Sequence, residues 1–456
     1  MNVNMTKNQE VLVLSEGPPP LGNTRVEGGG LRAWGLAVSL AQKGHSTTYA
    51  YRSSFEAMNK DLKPPDGVRV TQWSPANIAE LMAEHTHIIL RYSMGEMSLF
   101  LDNIKDHQIL ITDCYIPISV EYSARQSETM KQELKNYTLE SYWWERCIER
   151  ADYFLYAADQ QLYYYLGYLS AVLKLNPTSY DEMRKRLIRL PYGYFKKDIA
   201  KKPSRPKNPS LLWYGAIYPW FDMEPLVKAA KLIKAEHPNF KLIVAGARNP
   251  YTSNTTFIEH YEKSIGQLAT ISDFTEFIGH TPYHERFKIY SKGSAIITLN
   301  KEGLENKLAW RTRLADYIAA KVPILTNGGD PLGEECIDAG VAIRIEDMAS
   351  PEAIKRAFQK SLRMELAPNN KLLEEMTWEN NIGQLVDIIS TSSRLLPAPK
   401  RLENPNTRIL VLKSKIYSVA SYTKHVLKEE GLTSLVKKLF LKPFKVIASF
   451  SKKPSS

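Results

Sequence analysis

Short apolar runs recur along this chain, separated by stretches of helical spacing, and they do so in two consecutive series. The first series is VLVLS (11–15), STTYAY (46–51), HIILRY (87–92), ILITD (109–113) and YFLYA (153–157). Segments such as LRAWGLAVSLAQKGH lie between them. Apolar strands spaced by helices of about 10–15 residues point to parallel βαβ units, because parallel neighbours need a crossover and a helix supplies it. KKDIAKKPSRPKNPS (196–210) then trades apolar residues for lysine and proline, and reads as a linker. The alternation restarts with SLLWYGA (210–216), FKLIVAG (240–246), FTEFIG (274–279), AIITLN (295–300), VPILTN (322–327) and VAIRIE (341–346). Two doubly wound α/β domains facing a common cleft are expected, with ligands at the carboxyl ends of the strands.

The boundaries follow from these breaks. Residues 1–195 form a first Rossmann-like domain, 196–209 a linker and 210–376 a second Rossmann-like domain. A closing helix is expected over 377–396, around TWENNIGQLVDIIS, and a basic amphipathic tail over 397–456. The length of 456 residues suits roughly two or three domains, and 43% hydrophobic with 24% charged residues is a globular composition.

The net charge of +11 invites a nucleic-acid reading, but its distribution argues against one. Residues 401–456 hold twelve Lys and Arg against three Asp and Glu; the remainder holds 48 against 46. The basic character therefore lives in the tail, and no nucleic-acid partner is expected. SLVKKLFLKPFKVIASF in that tail would present an apolar face flanked by lysines, as an interfacial helix does. An anionic membrane surface is one expected partner of residues 401–456; packing on the protein's own acidic face is the alternative. The polar start MNVNMTKNQE and the short VLVLS are no signal peptide, and no run approaches the ~18 apolar residues of a spanning helix. A cytoplasmic protein is expected, with peripheral attachment to the inner face of the cell membrane through the tail. Cys114, Cys147 and Cys336 have neither disulfide nor metal-ligand spacing. No metal and no other cofactor is expected.

Several segments together resemble the GT-B glycosyltransferases, especially the bacterial retaining enzymes of glycosyltransferase family 4. GGGLRAWGLAVSLAQKGHSTTYA resembles that family's first βα unit, in which a glycine-rich loop opens a helix closed by a GH turn. LPYGY (190–194) is similar to its VPNGV element before the linker, and FIGHTPYHERFKIYSKGSAIITL to its base-binding turn and following strand. RTRLADYIAAKVPILTNGGDPLGEE stands where the family has EAMAxGxPVVxTxxGGxxE. A surface-polysaccharide subgroup with RTRxLDYxxAGxP and ADxFLxASxxQxxxxLG is matched by RTRLADYIAAKVP and by ADYFLYAADQQLYYYLG (151–167). The matches run in order over most of residues 10–390. The resemblance implies a sugar nucleotide as donor substrate, a glycan or lipid-linked acceptor, and retention of configuration.

It also implies site residues. A sugar nucleotide needs donors for its phosphates, a carboxylate for its ribose and backbone groups for its base. Seven residues before Pro323 stands Asp316, at the family's second conserved glutamate, where it would bind the ribose hydroxyls. Arg311 and Arg313 precede it, and a planar guanidinium suits a bidentate phosphate contact. Arginine is the wrong sign for a helix start if its role were capping. The family's first glutamate falls on Leu308, so the nearby Glu305 is taken as its substitute, with Glu302 the other carboxylate in reach. The family's GRLxxxKG turn reads GAIYPWFD here, opened by Gly215 and bearing no cation; Arg311, Arg313, Lys307 or Arg32 would replace that charge. Gly29 and Gly30 precede a helix expected to begin near Leu31, whose N-terminus favours anions, unless GGG is only a surface loop. Gly279, His280 and Thr281 would meet the base, His280 reading equally as a surface turn residue. Asp113 ends a strand in the first domain, where it would orient an acceptor hydroxyl or simply cap the next helix. A non-catalytic scaffold of the same fold is the alternative reading, motivated by the missing glutamate and cation pair. A GT-B epimerase or phosphorylase shares the fold too, though no lysine signature for pyridoxal phosphate stands out.

Overall fold

The computed structural model describes residues 10–434 apart from 56–57, 59–60, 92–95, 125–129, 178, 202–204, 249–254, 365–370, 392–404 and 430. Both apolar series form parallel sheets. The first contains β1 (Glu10–Ser15), β2 (Ser46–Arg52), β3 (Val68–Trp73), β4 (His87–Arg91), β5 (Ile109–Asp113), β6 (Tyr153–Tyr156) and β7 (Leu187–Arg189), in the order β3-β2-β1-β4-β5-β6-β7. The second contains β8 (Ser210–Tyr214), β9 (Lys241–Ala245), β10 (Thr275–Ile278), β11 (Ala295–Thr298), β12 (Ile324–Thr326) and β13 (Ala342–Arg344), ordered β10-β9-β8-β11-β12-β13. Central strands such as β5 and β11 are buried along their whole length, because helices cover both faces of each sheet. Strand order reverses beside β1 and beside β8, which opens a crevice at the carboxyl end of each sheet. The two Rossmann-like domains turn these crevices toward each other.

β3 and β7 are the two edges of the first sheet, and the apolar runs do not announce them. VRVTQW is half polar because its middle is only partly covered, and LIR is three residues long. The linker begins as a single tight turn, Lys196–Asp198, and Ala200 then donates its amide to Ala319 O at 2.8 Å. Residues 202–204 of the linker lie outside the described residues.

After the second sheet the chain returns to the first domain. Tyr194 N donates to Met376 O at 3.2 Å, and Trp378 N donates to Tyr194 O at 2.9 Å. Where one closing helix was expected, two short ones form, Trp378–Asn381 and Gly383–Thr391. Trp378 is buried in contact with Gly35, midway along the first helix (Gly28–Gln42), and edge-on to Tyr192 with ring centroids 5.8 Å apart. The basic tail begins as a long helix, Pro405–Glu429, docked on the helix Met130–Arg150 of the first domain. Residues 435–456, with most of SLVKKLFLKPFKVIASF, lie outside the described residues. Among the described residues no helix is long and apolar enough to cross a membrane.

The Gly35–Trp378 crossing yields a direct test. In an unpacked helix, Gly to Ala stabilises by about 1 kcal/mol. At Gly35 a Cβ would run into the Trp378 indole, which has no room to retreat. Gly35→Ala is therefore expected to destabilise the protein by about 1–3 kcal/mol, the range for overpacking a core. Urea denaturation measures it, and a more stable variant would show that the crossing is loose.

Candidate functional site

A cavity of about 870 Å³ lies between the carboxyl ends of the two sheets. The helix Thr312–Ala320 contributes Thr312, Arg313 and Asp316 to its lining. Its apolar residues Leu314, Ala315, Tyr317 and Ile318 are buried, so the charged positions at its start are forced onto the one side that meets the cleft. Those positions take three different roles.

Arg311 is held within its own domain. Its guanidinium donates from Nη1 and Nη2 to Glu305 Oε1 and Oε2 at 2.9 and 2.7 Å, and from Nη2 to Asn306 Oδ1 at 3.0 Å. Asn306 in turn donates to Gly328 O at 3.0 Å. The Asn-Gly-Gly-Asp turn that follows β12 closes over this group: Gly329 has φ +81°, and a Cβ there would stand 2.7 Å from Asn306 Nδ2. Glu305 and Arg311 both line the cleft, but as a neutralised bidentate pair.

Arg313 reaches the turn after β8. Nη2 donates to Ala216 O at 2.9 Å, and the guanidinium stacks on Phe221 at 4.4 Å and Trp213 at 5.4 Å. It also lies against Gly215, whose φ of +101° and whose absent side chain leave it room. Its Nη1 is buried and, among the described residues, makes no hydrogen bond. Burial lowers its pKa below the usual arginine value. The GAIYPWFD turn has no cation of its own, and Arg313 brings one to it from the neighbouring helix.

Asp316, on the same helix face as Arg313, lines the cleft and is buried. Arg286 Nε donates to its Oδ1 at 3.3 Å and Tyr290 OH to its Oδ2 at 3.4 Å. Burial pushes its carboxyl above the ordinary range, opposed by the charge of Arg286. Arg286 also reaches the linker through Asp198 Oδ2 at 3.0 Å, and packs on the Tyr283 ring at 3.7 Å.

From the first domain, Gly29 lines the cleft with no space for a Cβ, because Arg91 passes directly over it. Gly28 faces Thr312 across the domain boundary, so the N-terminus of the first helix meets the start of the arginine helix. Gly279, His280 and Thr281 also line the cleft; burial and then the nearby Arg25 lower the pKa of His280, whose ring bonds to the backbone of Asn23.

Four expected site residues stand elsewhere. Asp113 is 5% exposed and accepts from Arg32 Nε at 2.7 Å, and Arg32 is fully buried beneath the Tyr115 ring. Arg32 and Asp113 are off the main cavity wall because their mutual charge draws both inward; Asp113 caps no helix and borders only a water-sized pocket behind Gly29. Gly30 faces Pro18 O, and Lys307 points to solvent. Conversely, the cleft includes Arg91, Tyr192 and Tyr283, with Arg286 behind it, and none of these was singled out. Arg91 ends β4, so the rule of reading strand ends would have found it; Arg286 carries no local signal.

No protein-family model and no curated protein matches the sequence. Solved structures do match the fold. A sucrose-phosphate synthase from Thermosynechococcus elongatus superposes with a TM-score of 0.53 at 14% identity, over 91% of this chain and 99% of that one. WaaG, a glycosyltransferase involved in lipopolysaccharide biosynthesis, gives 0.52 at 13%, over 89% and 98%. Anabaena Alr3699/HepE, solved with UDP and glucose, gives 0.52 at 10%, over 83% and 95%. The chain has the GT-B fold, two Rossmann-like domains around a shared cleft.

Beneath the cleft, Asp330 is fully buried, accepts from Gly333 N at 2.9 Å at the start of the next helix, and has its carboxyl pushed up to about 6 by burial, against the opposing charge of Arg311. The unfolded chain ionises this group near 3.8 and the folded protein near 6, so stability falls as pH rises through that window. Asp330→Asn keeps the cap and removes the charge. Thermal melts from pH 4 to 7 are expected to show a flatter profile for the variant; a parallel profile would remove Asp330 as the source.

Proposed function

We propose that the chain is a glycosyltransferase that moves a sugar from a nucleotide-diphosphate donor to a glycan or lipid-linked acceptor, with retention at the anomeric carbon. The observation that carries this reading is Arg313, whose half-buried side chain keeps a buried, unpartnered Nη1 at the carboxyl end of β8, with Asp316 beside it on the same helix face. A buried donor without a partner costs free energy unless a ligand supplies one, and a phosphate oxygen is a suitable acceptor. In this reading Arg313 takes the diphosphate and steadies the charge that grows on it as the glycosidic bond breaks. Asp316, held by Arg286, accepts from the ribose hydroxyls; the Gly279–Thr281 turn offers backbone groups to the base. The N-terminus of the first helix at Gly29 faces the phosphate or sugar across the cleft. Family 4 membership, retention and the acceptor class rest on the sequence motifs.

The Glu305–Arg311 pair favours a second reading, a scaffold that binds nucleotide without transfer. Leu308 occupies the position of the first family carboxylate, and Glu305 is committed to Arg311. Release of nucleoside diphosphate from a bound sugar nucleotide separates the two: release is expected of the transferase, and binding without release would assign the scaffold.

Calorimetry with a panel of nucleoside diphosphates and the matching nucleosides tests the site itself. Arg313→Ala is expected to weaken diphosphate binding by about 1.5–3 kcal/mol, the worth of a charge-assisted hydrogen bond, and to leave nucleoside binding almost unchanged. Asp316→Asn is expected to weaken both by about 1–3 kcal/mol, since both carry the ribose. Equal losses at Arg313 for both ligands would make that arginine structural.

A further inference from the structure

The long helix Pro405–Glu429 presents two contrasting faces. Val411, Ser414, Ser418 and Val426 turn toward the first domain; Val426 is fully buried, Ser414 and Ser418 are nearly so, and Val411 packs on the core there. Lys415 Nζ fixes the same side to Asp102 Oδ2 at 3.2 Å. The opposite face carries Ile409, Leu412, Ile416 and Leu427, which are 55%, 60%, 59% and 43% exposed. Spacings of three, four and eleven residues bring these four side chains onto one stripe. Lys413, Lys424 and Lys428 are exposed along one flank of that stripe, with Tyr417, 75% exposed, among them.

A row of large aliphatic side chains in water, on a helix already anchored by its other face, marks an interaction surface. We propose that this stripe docks the protein on an anionic lipid bilayer. The aliphatic row enters the acyl boundary, the lysines meet anionic headgroups, and Tyr417 takes the interfacial level suited to an aromatic ring with a polar tip. Charge selects the bilayer over a second copy of the chain. The helix Pro405–Glu429 holds five basic residues against one acidic, so two such helices repel, whereas an anionic surface attracts each. The proposal stands on this helix and does not depend on the reading of the cleft.

Cosedimentation of the full chain with phosphatidylcholine vesicles, with and without phosphatidylglycerol, tests it. Binding is expected to the anionic vesicles, to weaken as salt rises, and to be slight with phosphatidylcholine alone. The triple variant Ile409→Ser, Leu412→Ser, Ile416→Ser alters exposed positions only; it is expected to keep the wild-type melting temperature and to lose at least about tenfold in vesicle affinity. Lys413→Gln with Lys424→Gln is expected to lose about tenfold or more on anionic vesicles alone. Unchanged binding by the triple variant, or equal wild-type binding to both vesicle types, would overturn the proposal. Self-association that the triple variant abolishes, without vesicle binding, would assign the stripe to a second copy and overturn it too.

Discussion

The pair of backbone hydrogen bonds at Tyr194 sets the relation between the two halves of the molecule. Parallel sheets carry their ligand groups at one edge only, so a shared site needs both carboxyl edges turned inward. The outgoing chain passes Tyr194 just before the linker, and the returning chain is bonded to the same residue through Met376 O and Trp378 N. Both crossings therefore lie at one place, side by side. Beyond it the domains meet through side-chain contacts, among them Gln161 Nε2 donating to Leu308 O at 2.7 Å, Arg189 Nη2 to Glu335 Oε1 at 3.1 Å and Trp310 Nε1 to Tyr192 O at 3.2 Å. Each is a side-chain bond that can break without unfolding either sheet.

The arginines around the cleft show how burial divides labour among identical side chains. Burying a guanidinium is costly unless its charge is matched. Arg32 is matched by Asp113 and Arg311 by Glu305; the first pair lies behind the cleft and the second on its wall. Arg286 is matched by two carboxylates, Asp198 and Asp316, and thereby links the linker to the cleft lining. Arg313 alone of these four has no carboxylate partner; its neighbours are aromatic rings, the Tyr317 hydroxyl and one carbonyl. Its position, with a turn free of cations around it, distinguishes it from the rest.

The fold was legible because its signal is local. Each central strand is buried on both faces, and an unbroken apolar run such as ILITD or AIITLN records that directly in the sequence. β3 and β7 escaped for the same reason, since an edge strand with a wet face or only three residues leaves no such run. A place on the cleft wall was legible where a motif fixed a helix face, as with Arg311, Arg313 and Asp316. It was illegible where charge pairing decided the outcome. Arg32 and Asp113 are 81 residues apart, and nothing near either residue announces that they meet in the interior. Glu305 presented the same difficulty at shorter range: the sequence places it beside the arginines but does not say that Arg311 takes both its oxygens.

The return of the chain also orders events during synthesis. The first domain is discontinuous: Trp378 fills the space over Gly35, and Ile382, Leu385 and Ile389 extend the same buried cluster. These residues leave the ribosome only after the whole second sheet has emerged. The second domain, contiguous from β8 to β13, can close as soon as its own strands are out, whereas the first is left with an uncovered apolar groove along its first helix. Vectorial folding from the N-terminus is thus inverted in this chain, and the domain made first is the one completed last.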